Sequence, residues 1–236
     1  MRAEAITEYK TNDGKPQWLG MMAKHWTLGT VKTRLAHHTG HAAAASIHEY
    51  FTVRLTQRLA GVAEQRCVFV TPDDACASLG DAIDQSWLTS PQGSGDLGAR
   101  MAAAFQWMLG RDGQQASNAI IIGADLPTLS PADLDDAFGR LAKNDLVLGP
   151  AVDGGYYLIG IRGPWRPEHA TLFRGIQWST ASVFKDTCHL AKSSRLSASI
   201  LAMREDIDTL ESLQRLLASG EADHELTQRV STILAG

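Results

Sequence analysis

Short apolar runs alternate along this chain with stretches of helical period. Residues 18–23, 67–70 and 119–123 read as buried strands, the last with Ile120, Ile121 and Ile122 in succession. An unbroken apolar run of that length suits a strand covered on both faces. Residues 40–60 place Ile47, Phe51, Leu55 and Leu59 four apart, one face of a helix. A weaker run at 85–88 reads as a further strand, and residues 96–109 as a helix. Ser130 before Pro131 is an N-cap signal with proline at the first helical position. Residues 146–149 and 156–161 are further strands, and late helices cover 181–191, 210–219 and 223–234. Such alternation predicts an α/β fold, a mostly parallel sheet with helices on both faces. Ligands in such sheets sit at the carboxyl ends of the strands.

Four predicted strand ends carry chemistry. The segment from Lys24 to Leu35 puts Gly29 and three cations, Lys24, Lys32 and Arg34, where a helix should begin. Free N–H groups at a helix start attract anions, and the cations could neutralise a diphosphate. A solvated basic turn is the plain alternative. Asp125 leaves the triple-isoleucine strand within Gly123-Ala124-Asp125-Leu126-Pro127, a place suited to a hard cation such as Mg²⁺ or Mn²⁺. Asp153, Gly154, Gly155 and Tyr156 form either a hairpin turn or a substrate loop with an acid. Asp206 and Asp208 would share one face of an extended segment, with Asp208 or Thr209 as N-cap of the next helix.

The 236 residues suit one α/β domain, here 17–236, behind a polar extension over 1–16. A net charge of −4 argues against a nucleic-acid partner. Cys67, Cys76 and Cys188 form no pairing pattern and read as reduced thiols. No membrane span and no signal peptide is legible, so a cytoplasmic protein is expected.

Taken in order, GTVKTRL at 29–35, QGSGDLGAR at 92–100, GADLPTLS at 123–130, GPAVDGGYYLIG at 149–160, WST at 178–180 and DIDT at 206–209 resemble the DUF2064 family. These bacterial proteins are similar to GT-A glycosyltransferases and to nucleotidyltransferases. The resemblance implies a GT-A-like, Rossmann-like sheet. It implies donor phosphates held by Gly29, Lys32 and Arg34, with Lys24 alongside, and a metal at Asp125 with Asp208 as second carboxylate. In the family, residues 92–100 form a site loop, so Asp96 or Arg100 would touch donor or acceptor. Trp26 departs from the family pattern, which has proline there.

The activity expected is metal-dependent glycosyl transfer from a nucleotide-diphosphate sugar to a small-molecule acceptor, with Asp153 as the acceptor's base. Trp178, Ser179 and Thr180 would join Gly154, Gly155 and Tyr156 around the substrate, and a homodimer is possible. Nucleotidyl transfer with loss of pyrophosphate is the first alternative, and a nucleotide-binding protein without turnover the second. Gly93, Gly95 and Gly98 spell a literal G-x-G-x-x-G, but no firm strand precedes them, which disfavours an NAD enzyme. His37, His38, His41 and His48 carry no zinc pattern and read as a solvated helix face.

Overall fold

The computed structural model describes residues 14–110 and 116–236, so most of the expected N-terminal extension lies outside the described residues. The elements run β1 (Gln17–Lys24), α1 (Thr33–Arg58), β2 (Gln65–Thr71), α2 (Cys76–Ala82), β3 (Leu88–Pro91) and α3 (Leu97–Gly110). There follow β4 (Asn118–Gly123), α4 (Pro131–Leu141), β5 (Leu146–Pro150), β6 (Tyr156–Arg162), α5 (Pro167–Thr171), α6 (Val183–Ser193), β7 (Ala198–Ile200), α7 (Leu210–Ser219) and α8 (His224–Ala235).

One seven-stranded sheet has the order β3-β2-β1-β4-β6-β5-β7. All neighbours pair in parallel except β6, which is antiparallel to both β4 and β5. The exception follows from the connection: residues 151–155 are too few for a crossover, so β5 and β6 form a hairpin. The sheet is therefore mostly parallel, as the alternation predicts.

Alternate residues of β4 show how both faces are covered. Ile120 and Ile122 pack with Leu55 of α1, Leu59 at its C-cap, and Leu134 and Phe138 of α4. Ala119 and Ile121 pack on the other face with Met101, Phe105 and Met108 of α3. A third cluster joins Leu35, Ile47 and Phe51 of α1 to Leu213 of α7 and Leu226 and Val230 of α8.

Two elements differ from their sequence outlines, and three had none. Helix α1 starts at Thr33 rather than residue 40, with Gly40 as a kink at φ 82, ψ 155. The strand expected over 85–88 is a turn up to Trp87, whose N–H donates to the Asp84 carbonyl; β3 begins only at Leu88. Elements α2, α5 and β7 are short and have no clear sequence outline.

Candidate functional site

Strand β1 ends at Lys24, and residues 25–32 lead into α1. Lys24 Nζ donates to the Thr30 carbonyl at 3.3 Å, and Thr30 Oγ1 donates to the Thr27 carbonyl at 2.7 Å, closing the loop on itself. Gly29 takes φ 80 here, a left-handed turn that suits glycine. Trp26, in the place of the family proline, stacks on His25 at 4.8 Å. Lys32 is the N-cap residue of α1 and adopts φ 42, ψ 45 with no side-chain cap bond. Such a conformation costs a non-glycine residue on the order of 1 kcal/mol and persists only where the surroundings impose it. The start of α1 lies at the cleft, where Thr33 and Arg34 line the wall.

What imposes it is an ion cluster in which the lysine is buried and its two carboxylate partners are partly exposed. The Lys32 side chain is 1% exposed, and Nζ donates to Asp125 Oδ1 at 2.6 Å, to the Ile207 carbonyl at 2.6 Å and to Asp208 Oδ1 at 3.4 Å. Asp125 comes from the exit of β4 and Asp208 from the segment before α7. Ile207 N–H closes the cluster by donating to the Asp125 carbonyl at 2.9 Å. Thr209 is the N-cap of α7, its Oγ1 accepting from Ser212 N–H at 3.1 Å, which leaves Asp208 free to face Lys32.

Charge and burial set the proton affinities. Burial alone would raise the Asp125 pKa, but the Lys32 charge, the neighbouring His48 ring and the hydrogen bond from Lys32 outweigh it and hold the carboxyl far below its usual range. Burial likewise works against the charge on Lys32, and the Asp125 and Asp208 carboxylates more than compensate, raising its pKa. Asp208 is raised by burial and by Asp125. Asp206 is pushed up to about 7 by burial and by its neighbours Asp125, Asp208 and Asp153. Four carboxylates therefore meet at one edge of the sheet, with Lys32 among them.

Two adjoining chambers open there. The first, about 600 Å³, is lined by Lys24, Thr30, Lys32, Thr33, Arg34 and Arg100 and by the carboxylates Asp125 and Asp208. The second, about 580 Å³, is lined by Asp153, Gly155, Tyr156, Trp178, Ser179, Thr180 and Asp206. Arg34, Leu97, Asp125, Ser179 and Asp208 line both. The structure thus brings together most residues singled out in the sequence.

Several of those residues have a structural part as well. Asp153 Oδ1 accepts from Gly155 N–H at 2.9 Å, so the turn is a hairpin and a wall of the second chamber at once. Gly154, at φ 91, lies with Ala181 so close that a Cβ would come within 2.2 Å of the Ala181 carbonyl oxygen. Trp178 lines the chamber, but its ring also covers Gly98 of α3. Asp96 lines neither chamber; it accepts from Ala99 N–H at 2.8 Å at the start of α3.

One expectation is corrected. Of the four histidines read as a solvated face, His37, His38 and His41 are exposed, whereas His48 is 5% exposed. His48 Nε2 can only donate to the Lys24 carbonyl, at 3.0 Å, and Nδ1 lies 3.6 Å from Asp125 Oδ1. The sequence holds a signal for this: His48 falls on the stripe of Ala44, Ile47, Phe51 and Leu55, all buried. Gln92 was also missed. Its Nε2 donates to the carbonyls of Ala23 and Phe69 at 3.1 and 2.9 Å, and its Oε1 accepts from Arg100 at 3.4 Å.

The carboxylates suit a divalent cation. Both Oδ1 atoms touch one ammonium, so they lie no more than 6.0 Å apart, within reach of one ion's ~2.0–2.6 Å bonds after small adjustments. Among the described residues, no three His, Cys, Asp or Glu side chains form a metal cage. Mg²⁺ needs none, since one or two carboxylates plus substrate phosphates complete its shell.

Residues 53–180, more than half of the chain, match the family described as "Uncharacterized protein conserved in bacteria" (DUF2064). A 3-phospho-D-glycerate guanylyltransferase of Phenylobacterium zucineum (strain HLK1) is 32% identical over 145 residues, 58% of this chain. That match spans 64% of the guanylyltransferase, less than two thirds of its length. A crystal structure from Desulfovibrio desulfuricans G20, provisionally named a nucleotide-diphospho-sugar transferase, superposes with a TM-score of 0.83. It is 26% identical, and the match covers 93% of this chain and 96% of that one. The 4-diphosphocytidyl-2C-methyl-D-erythritol synthase of Anaerococcus prevotii DSM 20548 shares the fold at a TM-score of 0.57 and 12% identity, over 89% of this chain and all of that one. The family match, over residues 53–180, includes Asp125 and Asp153. The chain belongs to the DUF2064 family.

Proposed function

We propose that the protein is a metal-dependent glycosyltransferase, moving a sugar from a nucleotide-diphosphate donor to a small-molecule acceptor. The observation that carries this reading is the junction of the two chambers, where Arg34, Asp125 and Asp208 line both. A donor diphosphate in the first chamber meets Lys24, Arg34, Arg100 and the N-terminus of α1. Its scissile bond then falls beside the second chamber, where an acceptor meets Asp153, Asp206, Ser179 and Thr180.

Asp125 and Asp208 would hold Mg²⁺ or Mn²⁺, which when bound neutralises charge on the leaving diphosphate. The chain's own cations stabilise that same charge, an effect that grows where water is excluded. Asp153 takes the proton of the acceptor hydroxyl. The resemblance to a nucleotide-diphospho-sugar transferase over almost the whole chain supports sugar transfer.

The guanylyltransferase relative favours a second reading, nucleotidyl transfer, in which the same cations clamp a triphosphate and pyrophosphate leaves. Incubation with nucleoside-diphosphate sugars and, separately, with nucleoside triphosphates, each with Mn²⁺ and a panel of hydroxyl acceptors, tells them apart. Release of nucleoside diphosphate is the expected result. Release of pyrophosphate alone establishes the second reading, and neither product with any nucleotide removes both.

A further inference from the structure

Lys32 stands in the place where a cation would meet both carboxylates. An ammonium has three protons, and Lys32 has three acceptors: Asp125 Oδ1, Asp208 Oδ1 and the Ile207 carbonyl. None is left over for a phosphate. Position along the chain reinforces this, because Val31 and Lys32 are buried while Thr33 and Arg34 beside them are exposed. Lys32 nevertheless lines the first chamber together with Lys24, Arg34 and Arg100. The lysine can exchange carboxylates for another anion without leaving that chamber.

We infer that Lys32 is the resident counter-ion of the Asp125–Asp208 pair, and that it makes divalent-cation binding conditional on a diphosphate in the first chamber. This rests on the proposed function. An incoming cation and the ammonium seek the same oxygens, and like charges at contact distance repel strongly where water is scarce. A free divalent ion is therefore held weakly. A diphosphate supplies new acceptors for the ammonium and further oxygens for the ion, so the two ligands bind better together than apart. Linkage is reciprocal: the ion strengthens diphosphate binding by the same factor. The chain then takes up the metal–nucleotide complex in preference to either part.

The test uses Lys32→Met, which keeps the apolar stem and removes the charge. Binding is followed by calorimetry and by melting temperature with Mn²⁺ alone, GDP alone, and both; UDP, CDP and ADP replace GDP in turn. The wild-type protein should respond weakly to Mn²⁺ alone, and Mn²⁺ should tighten nucleotide binding at least about tenfold. K32M should bind Mn²⁺ alone at least about tenfold more tightly than wild type, with less gained from nucleotide. Equal Mn²⁺ affinity in the two proteins overturns the inference, as does tight binding of Mn²⁺ to the nucleotide-free wild type. If no nucleotide binds either protein, the proposed function falls, while the Mn²⁺-only comparison still decides the role of Lys32. Should K32M not fold, Lys32→Gln takes its place. If neither folds, independent binding of Mn²⁺ and nucleotide to the wild type still overturns the inference.

Discussion

Cations of similar sequence context do different work here, and burial decides which. Lys32 is enclosed and its charge is spent on protein oxygens; Arg34, two residues on, is exposed and borders both chambers. Arg34 is thus the residue free to meet a diphosphate from the start. Removing one charged hydrogen-bond donor costs roughly 1.5–3 kcal/mol, so Arg34→Ala should weaken nucleoside diphosphate binding about 10- to 100-fold in calorimetry. Asp153→Asn should leave that affinity intact and lower kcat by roughly 10²- to 10⁴-fold, the usual worth of a general base. A D153N enzyme with wild-type kcat would take the base role from Asp153. Asp125 and Asp208 were legible in the sequence because each sits at an element boundary, where a carboxylate has no core to join. The enclosure of Lys32 was not legible, since its acceptors come from positions 125, 207 and 208 and only the fold brings them there.

Elements place these residues through their ends, and the ends are where sequence outlines were weakest. The triple isoleucine of β4 marked a buried strand because both faces are covered; the capping box of α4, Ser130 with Asp133, matched its signal equally well. Helix α1 was outlined only from Gly40, because residues 33–39 carry polar and positive side chains and a glycine interrupts the period. That misplaced start is the part of α1 that faces the cleft. Strand β7 has three residues, too few for a period to show. The β5–β6 turn shows an element end acting as a site wall. Gly154 combines φ 91 with a backbone contact that admits no Cβ, the Ala181 carbonyl oxygen being 2.2 Å from where one would stand. Gly154→Ala should therefore destabilise by more than the ~1 kcal/mol of left-handed strain alone. Gly29→Ala, at φ 80 with nothing within 4 Å, supplies the strain-only reference. Urea midpoints for the two variants check this, and equal losses would mean that the contact with the 181 segment yields freely.

For the molecule as a whole, buried titrating groups both inside and outside the cleft set the pH dependence of stability. His169 of α5 is fully buried, and its pKa is lowered to about 4 by burial and by the Arg166 charge, with Asp145 acting partly against them. The imidazole nitrogens face Arg166: Nδ1 accepts from its N–H at 3.1 Å, and Nε2 lies 3.2 Å from its guanidinium. A second proton would set a buried imidazolium against the guanidinium beside it. The unfolded chain titrates near the usual 6.5, so between about 6.5 and 4 it binds more protons than the native protein. Stability from this group is complete above 6.5 and is lost as pH falls, by up to about 3 kcal/mol near pH 4. Asp206 works in the opposite sense. Its native pKa of about 7 lies above the unfolded value, so the folded form gains protons, and stability, as pH falls through 7. Asp145 is held far below its usual range: burial would raise it, but hydrogen bonds from Ser197, Arg162 and Arg166 prevail. Its stabilisation fades only in more acid solution. The wild-type curve between pH 6.5 and 4 should accordingly be shallow, two opposed slopes nearly cancelling. His169→Gln removes one of them, so the variant should grow more stable relative to wild type as pH falls across that window. Urea unfolding of both proteins at half-unit steps of pH measures the difference, and a constant gap from pH 7 to 4 would show that His169 does not titrate as its surroundings require.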